Sequence, residues 1–151
     1  MSKNILALMV GVSGSGKSTY SNKLSVSINA IKIETDEIRF ELTGNASDQS
    51  QNWRVFGIAK HRIRDNLSVG KNVIFDATNL SIKDRRDFVD IGKEFDCEIH
   101  AYIVKPSLSV CKERNSLRDR KVPVEIIDKQ YAKFVMPTEN EGFYKIVTCV
   151  N

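Results

Sequence analysis

Residues 11–19 read Gly11-Val12-Ser13-Gly14-Ser15-Gly16-Lys17-Ser18-Thr19, which is G-x-x-x-x-G-K-[ST] without deviation. The run before it, Ile5-Leu6-Ala7-Leu8-Met9-Val10, is short, apolar and closed by a glycine, as a strand buried on both faces would be. After it, Leu24 and Ile28 stand four apart, on one face of a helix. Strand, glycine-rich loop and helix are the setting this motif requires. Gly11, Gly14 and Gly16 let the backbone curl and approach a ligand closely. The curl turns successive N–H groups inward, and the helix N-terminus adds partial positive charge, so the stretch is an anion cradle. Lys17 is placed to reach β- and γ-phosphates and the Ser18 hydroxyl to ligate Mg²⁺. The expected nucleotide contacts are therefore Gly11, Val12, Ser13, Gly14, Ser15, Gly16, Lys17, Ser18 and Thr19.

The chain around the motif has 151 residues, which suits one domain with a sizeable core, residues 1–151. It is 41% hydrophobic and 28% charged, the balance of a globular protein in water. No apolar run approaches the length of a membrane span. The six apolar residues near the N-terminus are too few for a signal peptide and are needed as the first strand. Cys97, Cys111 and Cys149 show no metal spacing and read as reduced thiols of a cytoplasmic protein. The net charge of +4 permits a polyanionic partner without requiring one.

Strand and helix patterns alternate along the rest. Residues 30–34 alternate as a strand, and Thr35 is a candidate N-cap for a short helix through Asp36 and Arg39. Residues 42–52 are polar, an expected long loop. Trp53, Phe56, Ala59, Ile63 and Leu67 recur at helical spacing as one apolar face, with Gly70 as the C-terminal stop. Asn72-Val73-Ile74-Phe75-Asp76 is a third strand. Ser81 and Asp84 make a capping box for a helix buried through Ile82, Phe88, Ile91 and Phe95. Residues 97–104 form a fourth strand, Ser107 and Pro123 open two further helices, Pro137 stops the second, and residues 144–150 form a fifth strand. The order predicts an α/β fold with a mainly parallel sheet. In such sheets ligands sit outside the carboxyl ends of the strands, so the glycine loop, Asp36 and Asp76 should gather on one edge.

Three groups there carry chemistry. Asp76 closes an apolar strand and is a candidate metal ligand beside Ser18, or else a turn cap. Asp36 is the candidate general base. Arg39, one helical turn on, is either its local ion-pair partner or a guanidinium for an acceptor phosphate. Arg114, Arg118, Arg120 and Lys121 cluster at a helix end, as a cationic lid over residues 112–122 would or as a solvated basic terminus would. Lys83, Arg85 and Arg86 are read as a solvated face. His61 and His100 have no partner at metal spacing.

Together these pieces resemble the P-loop kinases, and more closely the kinase module of the 5′-hydroxyl polynucleotide kinases of the phage end-healing type. The resemblance rests on residues 11–19, Asp36-Glu37-Ile38-Arg39, Asp76-Ala77-Thr78-Asn79-Leu80 with Arg85-Arg86, Arg114-Asn115-Ser116-Leu117-Arg118 and Val122-Pro123. It implies a three-layer P-loop sandwich with a five-stranded sheet and a basic helical lid. ATP or another NTP is the implied donor with Mg²⁺, and the 5′-OH of DNA or RNA the acceptor. By the same likeness Lys17 and Ser18 serve the phosphates and metal, Asp36 the 5′-OH, Arg39 an acceptor phosphate, and Arg118 with Arg114 the donor phosphates. The runner-up is a kinase for a small hydroxyl acceptor such as a nucleoside, a sugar or an aminoacyl-tRNA. No D-x-D-x-[TV] motif accompanies the kinase pattern, so a partner phosphatase activity is not expected.

Overall fold

The structure, a computed structural model, describes residues 3–119 and 121–149. Five strands form one all-parallel sheet: β1 (Ile5–Val10), β2 (Ala30–Glu34), β3 (Asn72–Asp76), β4 (Glu98–Val104) and β5 (Lys145–Cys149), in the spatial order β2-β3-β1-β4-β5. The connecting helices are α1 (Lys17–Ser27), α2 (Thr35–Thr43), α3 (Asn52–Ser68), α4 (Ile82–Glu94), α5 (Leu108–Ser116) and α6 (Val124–Lys133).

Period-two alternation decides the layers. Leu6, Leu8 and Val10 of β1 join Val55, Ala59, Ile63 and Leu67 of α3 and Phe88 and Ile91 of α4 in the larger core. Ala7 and Met9, pointing the other way, meet Tyr20, Leu24 and Ile28 of the α1 segment. Val12, Leu80, Cys111 and Ile127 form a third cluster that fastens α5 and α6 beside the glycine loop. Three layers and a helical flank are thus in place. Among the described residues no helix is long and apolar enough to cross a membrane.

Several elements differ from the sequence reading. Thr35 is the first residue of α2 rather than its cap, and Glu34, still extended, occupies the cap position. Trp53 is 76% exposed; Val55 takes its place on the buried face of α3. Trp53 is three residues before Phe56 and Val55 four before Ala59, so each fits a helical spacing and sequence periodicity alone could not choose between them. Ser81 does cap α4 by accepting from the Asp84 N–H. Ile82 is exposed, however, and Arg85 joins Phe88 and Ile91 on the buried face of that helix. Helix α6 ends at Lys133, before Pro137 is reached, because Phe134 turns extended and the Val135 N–H donates to the Leu80 carbonyl. Arg120 and Val150 lie outside the described residues.

Arg85 corrects the reading of the second basic cluster as a solvated face. It is fully buried, with its Nε and Nη2 donating to the two carboxylate oxygens of Glu141 at 2.8 and 3.1 Å. Its Nη1 donates to the Asn79 carbonyl at 2.8 Å. Asn79 stands in the left-handed region (φ 47°), which asparagine tolerates, and its side-chain amide donates to the Met9 carbonyl. The Gly11 N–H donates to the Thr78 carbonyl at 3.0 Å. The segment after β3 is therefore held from three sides against the glycine loop. Breaking such a buried pair by removing one partner costs about 3–5 kcal/mol, since the other charge is left without compensation. Glu141→Ala is expected to lower the free energy of unfolding by about that amount, read from urea denaturation midpoints.

Candidate active site

The site forms where β1, β2 and β3 end. Loop 11–16 connects β1 to α1, and its tightness has a steric origin. A Cβ on Gly11 would stand 2.5 Å from the Val104 carbonyl oxygen, and one on Gly14 would stand 2.6 Å from that of Cys111. Gly14 also has φ 80°, a conformation that side chains disfavour. Only glycine lets the loop pack this closely on the end of β4 and on the body of α5.

A cavity of about 240 Å³ opens inside this loop. Ser13, Gly14, Ser15, Gly16, Lys17 and Ser18 line one side; Asp36, Asp76, Arg114 and Arg118 complete it. The Lys17 ammonium rests on the Val12 carbonyl at 3.1 Å. Burial lowers its pKa, while Asp76 and Asp36 pull it back up. Asp76 is buried, accepts a hydrogen bond from Ser21 at 3.0 Å, and has its pKa raised by burial against the opposing pull of Lys17. A lysine and a carboxylate, each losing hydration and each stabilising the other's charge, are the arrangement that a phosphate and its cation would complete. Ser18 is exposed on the first turn of α1, in the same cavity as Asp76.

A second, larger cleft of about 640 Å³ adjoins the first. Ser13, Thr35, Asp36, Ala77, Thr78 and Arg118 line both. Asp36 thus stands at the junction, half exposed. Arg39 is buried behind it, donating from Nη1 to Asp36 at 2.9 Å and from Nε and Nη2 to the Asn52 side-chain oxygen at 3.3 and 3.0 Å. The ion pair of residues 36 and 39 is thus real, but it is buried on the arginine side and tied to α3. The guanidinium is engaged with Asp36 and Asn52 at the wall of the larger cleft.

Arg114 donates from Nη1 to the Ser15 carbonyl at 2.8 Å, bracing the loop. Arg118 has no acidic partner among the described residues and lies close enough to Lys17 to depress its pKa. The structure therefore brings the glycine loop, Asp36, Arg39, Asp76, Arg114 and Arg118 together. Sequence reasoning missed four contributors. Glu34 is register partner of Asp76 across β2 and β3 and lines the cavity. Asn52 holds Arg39. Thr78 lines both spaces. Gln130 accepts from the Ser13 N–H at 2.8 Å. Two of them had a readable signal: Glu34 as the last residue of a strand in a parallel sheet, and Thr78 as part of the Asp76-Ala77-Thr78-Asn79-Leu80 run.

An all-parallel sheet with this phosphate loop and two carboxylates at its carboxyl edge has the architecture of a P-loop domain. A family model described as an AAA domain matches residues 6–137, and the chain belongs to that family of P-loop kinase domains. An L-seryl-tRNA(Sec) kinase of Methanococcus maripaludis is 30% identical over 138 residues, covering 88% of this chain and 53% of that protein. An inferred bifunctional polynucleotide kinase/RNA ligase of Autographa californica nuclear polyhedrosis virus is 31% identical over 161 residues, covering 96% of this chain and 23% of that one. The chain spans about half or less of the length of these curated relatives. Among solved structures, a chain of the Pnkp1/Rnl/Hen1 RNA repair complex superposes with a TM-score of 0.78 at 23% identity, over 88% of this chain and 44% of that chain. That likeness is one of fold.

Proposed function

We propose that this chain transfers the γ-phosphoryl of ATP, or of another NTP, to the 5′-hydroxyl of a DNA or RNA end. The observation that carries the reading is the charge of the larger cleft. Six cations line it against three carboxylates. Each carboxylate is already paired: Asp36 with Arg39, Asp84 with Lys133, Asp87 with Lys60. Lys83, Arg118 and Lys129 remain without an acidic partner among the described residues. A groove with surplus cations, leading to a carboxylate beside a phosphate loop, suits an acceptor that carries its own phosphates.

The roles follow from position. Residues 11–19 hold the donor phosphates, with Lys17 on the β/γ oxygens. The Ser18 hydroxyl and Asp76 carboxylate are a fitting pair for Mg²⁺, which takes one or two protein ligands and shares the rest with phosphates. When bound, that ion neutralises charge developing on the β- and γ-oxygens. Asp36 aligns the hydroxyl and accepts its proton. Arg118, in a lid over residues 112–122, meets the charge of the phosphoryl in flight, and Arg114 stiffens the loop beneath it. Arg39 acts through Asp36.

The test is kcat/KM for a bare nucleoside, its 3′-monophosphate and 5′-OH oligonucleotides of increasing length, with γ-labelled ATP as donor. Efficiency is expected to rise with each added phosphate and to fall with salt, most steeply for the longest acceptor. Equal use of nucleoside and oligonucleotide at any salt would remove the polynucleotide from consideration. A second reading draws on the seryl-tRNA kinase relative: an aminoacyl hydroxyl presented on a tRNA would meet the same cations. Seryl-tRNA therefore belongs in the acceptor panel, and its preferential phosphorylation would select that reading.

A further inference from the structure

We infer that Gln130 is a γ-phosphoryl contact, which joins helix α6 to the phosphate loop and donates from its side-chain amide to the group being transferred. The inference rests on the nucleotide-binding reading of the site and is independent of which acceptor is used. Its starting point is a single bond. The Ser13 backbone N–H lies 2.8 Å from Gln130 Oε1, across 117 residues of sequence. A backbone N–H can only donate, so the atom facing it must be the amide oxygen. That leaves both Nε2 hydrogens on the opposite side of the carboxamide.

Those hydrogens have no partner among the described residues, and the side chain is half-buried, so Nε2 is open to a ligand rather than sealed in the core. Gln130 lines the larger cleft, and the residue it grips, Ser13, lines both that cleft and the phosphate cavity. The carboxamide therefore stands at the junction between the two. A phosphoryl group passing from donor to acceptor must cross that junction. An amide donor there would meet the γ-phosphoryl oxygens and not the β-phosphate, which belongs to the N–H groups around Lys17. The sequence offered no signal for this role, since an isolated glutamine on an amphipathic helix is ordinarily a surface residue.

The test separates the two ends of the amide. Gln130→Glu keeps an oxygen for the Ser13 N–H, so the loop stays braced, but removes the donor and places a negative charge at the junction. Gln130→Met keeps the length of the side chain and removes both functions without adding charge. Dissociation constants are measured by calorimetry for ADP and for the imido-linked, non-hydrolysable analogue of ATP, with Mg²⁺ and no acceptor. Gln130→Glu is expected to bind ADP within about twofold of wild type and the triphosphate analogue about tenfold or more weakly. Gln130→Met should also lose affinity selectively for the analogue, by a smaller factor. Wild-type analogue affinity in both variants would make Gln130 a brace alone. Equal weakening of ADP and analogue would mean that it acts through the shape of the loop. Loss in Gln130→Glu with wild-type behaviour in Gln130→Met would show proximity without donation. Each of these overturns the inference. If wild type binds neither nucleotide, the nucleotide reading falls and takes this inference with it.

Discussion

Lys17→Met should reduce phosphoryl transfer by at least about 10³-fold while the protein stays folded. The size follows from what the ammonium does. A preorganised cation or donor aimed at charge that grows in the transition state is worth about 10²–10³ in kcat when it is one of several, and more where no other group reaches the same oxygens. Lys17 is the P-loop cation, and Arg114 and Arg118, which also line the cavity, come from a different segment. Stability should move little, for an identifiable reason. Among the described residues the Lys17 head donates one hydrogen bond, to the Val12 carbonyl, and burial makes its charge costly. A lysine whose folded pKa is depressed contributes stability above the ordinary lysine range and loses it as pH falls through the depressed value. Burying the charged head therefore opposes folding, and methionine retains the stem that packs. Losing Lys17 also removes the charge that steadies Asp76, and the two effects offset one another. A melting temperature within about 4 °C of wild type is expected, which corresponds to roughly 1 kcal/mol for a chain of this size. Wild-type turnover in the folded variant would remove Lys17 from the active site.

The parts of this site that were legible beforehand share a property: each is a local pattern with a local cause. The glycine loop is readable because backbone approach and left-handed φ demand glycine at fixed spacing. Asp36 and Asp76 are readable because they follow strands whose carboxyl ends must face the ligand. The strand order and the exact faces of α3 and α4 were not readable. Trp53 and Val55 compete within one turn, and only the position of the sheet decides which is covered. Arg85 shows the limit most clearly. As one of three basic residues in four it looks like a solvated face, and its burial depends on Glu141, 56 residues away, closing a bidentate pair. Asn52 on Arg39 and Gln130 on Ser13 are likewise contacts between elements distant in the chain. Sequence patterns locate the groups that do chemistry more readily than the groups that aim them.

Asp36→Asn should slow transfer by about 10²–10⁴, the usual worth of a positioned general base, with the affinity for nucleotide left intact. Asparagine preserves the shape and can still accept from Arg39, so a loss of rate reports the missing proton acceptor and not a collapsed wall. The informative step is the second substitution. If Arg39 held an acceptor phosphate by itself, Arg39→Ala would raise KM for the acceptor and its cost would add to that of Asp36→Asn. The geometry argues otherwise. The Arg39 residue is 4% exposed, with Nη1 on Asp36 and Nε and Nη2 on Asn52. Its effect passes through the carboxylate it orients, and groups that act as one unit are strongly non-additive. Arg39→Ala is therefore expected to lower kcat in the wild-type background and to add little once Asp36 is asparagine. Arg39→Lys should recover only part of the loss, because an ammonium cannot bridge Asp36 and Asn52 as the planar fork does. The measurement is a double-mutant cycle on kcat and KM, with a 5′-OH oligonucleotide as acceptor. Additive costs, with the Arg39 effect confined to acceptor KM, would return the arginine to a direct phosphate contact and require it to leave its partners when the acceptor arrives.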